Sequence, residues 1–154
     1  MSYQALRAWA DYHGLTDHDL RSRADICPLP EDWHRLQQLA ATWLLVAYAV
    51  ALHIAGLRPG DAAVTNVYRC PEYNRGRGVP GSRHQLGEGH GEPFAALDSD
   101  PPSWDRGAWR RVAYELPDVI RRYTGWPHGV GVIVYPSGRL HLDLRVHTWV
   151  DVRS

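Results

Sequence analysis

Gly129-Val130-Gly131-Val132-Ile133-Val134-Tyr135-Pro136-Ser137-Gly138-Arg139-Leu140-His141-Leu142-Asp143-Leu144 is the stretch that decides how the chain folds. Gly129 to Tyr135 is rich in β-branched residues and predicts a strand. Pro136-Ser137-Gly138 supplies the turn, and Arg139 to Leu144 predicts the return strand of a hairpin. Side chains alternate along a strand, so Leu140, Leu142 and Leu144 face one side while His141 and Asp143 face the other. Three leucines can fill a core while two polar groups converge on a cleft.

Outward from the hairpin, Arg106 to Tyr123 predicts a helix that stops at Gly125. Arg69 to Pro102 is rich in Gly, Pro, Asn and Ser and predicts a long loop, which in a compact domain usually carries function. Ala63 to Tyr68 predicts a short strand. Before it, Pro30-Glu31-Asp32 opens a long helix that ends at Gly56 and Pro59. Tyr3–Tyr12 and Asp17–Arg23 predict two further short helices. This order defines an α+β fold, a small antiparallel sheet with helices packed on one side. The 154 residues make one domain, with a core over 31–154 and an N-terminal helical extension over 1–30.

A content of 44% hydrophobic and 22% charged residues predicts a folded globule rather than a disordered tail. Formal charge is zero, which removes the broad attraction that nucleic-acid binders rely on, so no nucleic-acid partner is expected. Every cationic residue is Arg. Leu39 to Leu57 carries no charge and approaches the length of a membrane span. Its Thr42, His53, Gly56 and recurrent alanines suit a central buried helix better, so no span is expected. Met1 to Asp11 lacks a basic segment followed by an apolar one, so synthesis in the cytoplasm without a secretory signal is expected. Cys27 and Cys70 form no pattern and read as free, buried thiols, with a disulfide between them as the alternative.

His84 lies in the glycine-rich segment, Asp98 near its end, and His141 and Asp143 on the hairpin. Two histidines and one carboxylate, with a fourth position left open, are the ligand set of a catalytic zinc ion. Taken alone the spacing is a weak signal, and favours an edge-strand His141 and a solvated loop His84 over a metal site. His128 and His147 flank the hairpin, and Trp104, Trp109 and Trp126 serve either a substrate groove or the core.

Three motifs in order carry a resemblance: Val67-Tyr68-Arg69-Cys70-Pro71-Glu72-Tyr73-Asn74, then Gly81-Ser82-Arg83-His84-Gln85-Leu86-Gly87 with Ala96-Leu97-Asp98, then Tyr135-Pro136 leading to His141-Leu142-Asp143. From about Trp33 to Trp149 the chain resembles the zinc D-Ala-D-Ala carboxypeptidases. These are the hedgehog-like metallopeptidases that include peptidoglycan endopeptidases and phage endolysins. The resemblance implies the hedgehog-like fold, Zn2+ held by His84, Asp98 and His141, and Asp143 as acid/base partner or as a carboxylate orienting a ligand. It places Arg69 near substrate, where its planar fork would hold a peptide carboxylate or the developing oxyanion; a structural salt bridge is the alternative. Tyr68, Asn74 and Ser82 read as loop scaffolding.

The implied activity is hydrolysis of peptidoglycan stem peptides by a metal-activated water, and a monomer is expected. Without a secretory signal, release at lysis or carriage on a virion is one route to the wall, which makes a phage or prophage origin attractive. One departure stands out. Glu88 to Phe94 separates Gly87 from the segment ending in Asp98, and reads as an insertion of seven residues that returns Asp98 to the metal. Asp100, His90 or Glu92 is the alternative ligand. From a different class, a catalytically inactive hedgehog-like binding or virion structural module is the competing expectation.

Overall fold

Helix α1, Arg35–Ala55, is buried along Leu44, Tyr48, Ala51, Leu52 and Ala55, the spacing of one helical face. In the computed structural model, which describes residues 35–58, 60–66, 69–85, 95–100, 106–124, 126 and 129–154, this face packs into the core. The helix ends where glycine permits a left-handed residue: Gly56 has φ 73°, and its N–H and that of Leu57 donate to the carbonyls of His53 and Leu52. No helix among the described residues is long and apolar enough to cross a membrane. The expected helices at Tyr3–Tyr12 and Asp17–Arg23 lie outside the described residues.

After α1 come β1 (Ala63–Asn66), the short helix α2 (Pro71–Gly76), a 3-10 turn (Arg83–Gln85) and β2 (Ala96–Asp100). Helix α3 (Arg106–Thr124) follows, then β3 (Gly129–Val134), β4 (Leu140–Arg145) and β5 (Trp149–Val152). The segment expected as one loop thus contains a helix, a turn and a strand. Strand order is β1-β2-β4-β3-β5. The α+β class holds, but the sheet is mixed rather than antiparallel, because β5 runs parallel to β3.

That parallel pairing has a local cause. The chain leaves β4, crosses the start of β3 through residues 146–148, and joins the far side of β3. Gly129 N–H donates to the Val146 carbonyl at 3.1 Å. A Cβ on Gly129 would overlap the backbone of His147 and Thr148, so only glycine admits the crossing. The hairpin turn closes as expected, with Gly138 at φ 89° and Tyr135 N–H donating to the Arg139 carbonyl at 2.9 Å.

One sheet face is apolar. Val130, Val132 and Val134 of β3 join Leu140, Leu142 and Leu144 of β4 beneath α1 and α3, the latter contributing Trp109, Val112, Leu116 and Ile120. On the same side, Tyr48 donates to Ser99 Oγ at 2.9 Å and Ser99 donates to the Ala63 carbonyl, so the buried hydroxyls are satisfied. The opposite face carries the polar side chains.

Cys70 is disulfide-bonded, which corrects the expectation of a free thiol. No described cysteine is free, and Cys27, the chain's other cysteine, lies outside the described residues.

Candidate metal centre

Strand register brings Asp98 and His141 together. β2 and β4 are antiparallel with Asp98 opposite His141, and both side chains leave the polar face. His84 arrives from the 3-10 turn. That turn is fixed by Arg69 N–H donating to the His84 carbonyl at 2.8 Å and by Gln85 Nε2 donating to the Pro80 carbonyl at 2.6 Å. His141 Nδ1 donates to Asp98 Oδ1 at 2.8 Å, and His84 Nε2 stands 3.5 Å from the same oxygen. The two imidazoles meet edge to face, centroids 5.2 Å apart.

Asp98 uses its second oxygen differently. Oδ2 accepts from Asn66 Nδ2 at 3.2 Å and from Arg69 Nη2 at 3.4 Å. The carboxylate therefore turns one oxygen toward the histidines while the other is anchored. Of the two roles expected for Arg69, this is the salt bridge. Its Nε is nevertheless buried without a hydrogen-bond partner, and Arg69 lines the cleft above the cluster.

Asp143 is fully buried beneath His141. His141 Nε2 donates to Asp143 Oδ2 at 3.1 Å. Arg145 Nε donates to Asp143 Oδ1 at 2.6 Å, and Arg145 Nη2 donates to Oδ2, making a two-pronged pair. Arg83 Nε stands 4.0 Å from Oδ1. Both oxygens of Asp143 are thus engaged, one of them with the His141 ring.

The charges follow from these contacts. Burial opposes charge on His141, but Asp143 and Asp98 outweigh it and push its pKa up to about 9 in the metal-free protein. Burial likewise opposes charge on Asp98, and is outweighed by His141 and His84, which hold that carboxyl far below the usual range. Asp143 is also held low, with Arg145 and His141 overcoming burial. Burial depresses His84 despite the hydrogen bond to Asp98, which keeps it neutral, the form that binds a metal.

His84, Asp98 and His141 can hold a metal ion, with one ligand atom from each lying within 4.8 Å of the others. In a tetrahedral site with bonds of about 2 Å, ligand atoms stand roughly 3.4 Å apart. The 2.8 and 3.5 Å separations at Asp98 Oδ1 bracket that value, and the donor set fits in type. The cluster floors an open cleft of about 500 Å³, walled by Arg69, Arg83, Tyr135 and Arg145.

Asp98 occupies the position that the insertion left open between it and Asp100. Asp100 pairs instead with Arg139 at 3.0 Å, while residues 88–94, with His90 and Glu92, lie outside the described residues. His53 and His147 are exposed, and Trp109 and Trp126 are buried in the core; His128 and Trp104 lie outside the described residues. The sequence does not single out Asn66 or Arg145, and Tyr135 enters it as part of a turn motif rather than as a site residue. Arg145 was within reach, because alternation along Leu140–Arg145 puts it on the face of His141 and Asp143. Compared with family models, curated proteins and solved structures, the chain matches none.

Proposed function

We propose that the chain is a zinc-dependent peptidase with a hedgehog-like fold, acting on D-amino-acid-containing stem peptides of peptidoglycan. The observation that carries it is the convergence of His84, Asp98 and His141 at the floor of an open cleft. Two imidazoles and a carboxylate with a free position suit zinc; iron(II) takes the same set, and the resemblance of the motifs favours zinc. The substrate class rests on the resemblance of the three motifs.

His84, Asp98 and His141 would hold the ion. When bound, zinc supplies a water of lowered pKa and polarises the scissile carbonyl. Around it, Asn66 and Arg69 steady Asp98, and Asp143 accepts from the His141 ring. Arg69 and Arg83 face the cleft with guanidinium groups suited to the negative charge that develops on a carbonyl oxygen during attack. The Tyr135 hydroxyl, kept protonated by a raised pKa that burial causes, is a further donor at the same wall.

One observation favours a second reading, a metal-holding module without turnover. Among the described residues, the carboxylates lining the cleft are Asp98 and Asp143, the first engaged with the histidines and the second with Arg145. Neither is a free proton acceptor.

The deciding experiment incubates zinc-loaded protein with muropeptides and follows products by mass spectrometry, with a chelated control. Metal-dependent cleavage supports the peptidase. Tight zinc binding with no cleavage of any stem-peptide bond supports the module.

A further inference from the structure

Across the polar face, three adjacent strands build one layer next to the metal cluster. β3 contributes Gly131, which pairs with Asp143 of β4 on one side and Trp149 of β5 on the other. Over Gly131 lies the Asp143–Arg145 pair. A Cβ at Gly131 would overlap both the Arg145 guanidinium and the Asp143 carboxylate, so the pair occupies the gap that glycine leaves. Arg145 in turn stacks on the Trp149 ring, 4.8 Å from its centroid. Both prongs of the guanidinium are spent on Asp143, and beyond the layer Asp143 accepts from His141 Nε2 and faces Arg83 Nε at 4.0 Å.

A buried ion pair is a poor device for stability, since apolar residues of the same volume often serve as well. What this pair adds is direction. A fully buried carboxylate without a partner would be costly to keep charged, and would turn toward any donor. Forked from below by Arg145, it is held charged with one oxygen presented to the imidazole. A lysine could balance the charge but not fix both oxygens.

We infer that Arg145 is a positioning residue for the metal site: through Asp143 it sets the His141 ring with Nε2–H bound and Nδ1 turned toward Asp98 and His84, and Gly131 is the residue that admits it. This rests on the reading of His84, Asp98 and His141 as metal ligands. Trp149 shelters the outer side of the guanidinium, and completes a chain of contacts from the sheet edge to the ligand.

The test compares wild-type protein with Arg145→Lys, measuring zinc affinity by competition with a chelating dye and folding by circular dichroism. A second readout, nitrogen-15 NMR of the histidine rings in zinc-loaded wild-type protein, reports which His141 nitrogen keeps its proton. Expected are a folded Arg145→Lys protein with zinc affinity lowered about 10- to 100-fold, and a wild-type His141 that is protonated at Nε2. Unchanged affinity in folded Arg145→Lys overturns the inference alone, as does a His141 ring bound to zinc through Nε2. The NMR result decides if Arg145→Lys does not fold. No zinc bound by folded wild-type protein overturns the metal reading, and the inference with it.

Discussion

Asp98 and His141 face each other across neighbouring strands, with Asp98 Oδ1 2.8 Å from His141 Nδ1. The contact joins the strand that sequence did not reveal to the hairpin that it did, and His84 completes the cluster from a separate turn. Each histidine should therefore be needed for the metal but not for the fold. His84→Ala and His141→Ala are each expected to lower bound zinc from about one per chain to near zero, with little change in far-ultraviolet circular dichroism. Metal analysis of the dialysed proteins checks this.

Metal binding should displace a proton. His141 is pushed up to about 9 without metal, so at neutral pH its ring must give up a proton before it can ligate. Close to one proton is expected to be released per zinc at pH 7, and affinity should climb as pH rises toward 9. Calorimetry in buffers of different ionisation enthalpy measures the number directly; a value near zero at pH 7 would contradict it.

The same shift sets the stability of the chelated protein. The folded pKa of His141 lies above its ordinary 6.5. Its contribution is therefore fully present below about 6.5 and is lost as pH rises through about 9. Urea midpoints of chelated protein are expected to fall across that window. His141→Gln should flatten the decline, which separates this group from other titrations.

Much of the fold was legible because its signals are local. The β3–β4 hairpin, the α1 stop at Gly56 and the Arg106–Thr124 helix follow from turn chemistry, a left-handed glycine and apolar spacing. β2 was not legible. Ala96-Leu97-Asp98-Ser99-Asp100 holds no β-branched residue, and it is extended because β1 and β4 pair with it on either side. β5 has four residues and depends on the crossing at Gly129, a tertiary event that no periodicity announces. The three residues that can hold a metal ion were legible as types in an order. Asn66 and Tyr135 were not, because their approach to the site depends on strand pairing and on the turn.

The Gly129 crossing makes its own claim. Gly129→Ala should force the backbone of residues 147–148 away and cost about 1–3 kcal/mol. Leu142→Ala, in the centre of the apolar face and fully buried, should cost about 2–5 kcal/mol through the cavity that it leaves. Denaturant unfolding measures both, and a neutral Gly129→Ala would contradict the close approach.

The disulfide at Cys70 sits beside Arg69, whose backbone N–H holds the His84 turn. Intact mass of unreduced protein is expected to show no free thiol, and reduction should lower stability by about 2–4 kcal/mol. Two titratable thiols in native, unreduced protein would contradict it.

The most direct test of the metal centre is the zinc content of the purified protein, before chelation and after chelation and reloading. About one tightly held zinc ion per chain, removed by chelator and restored by reloading, is the expected result. Folded protein that holds no zinc after reloading would mean that His84, Asp98 and His141 form an ion-pair cluster and not a metal site.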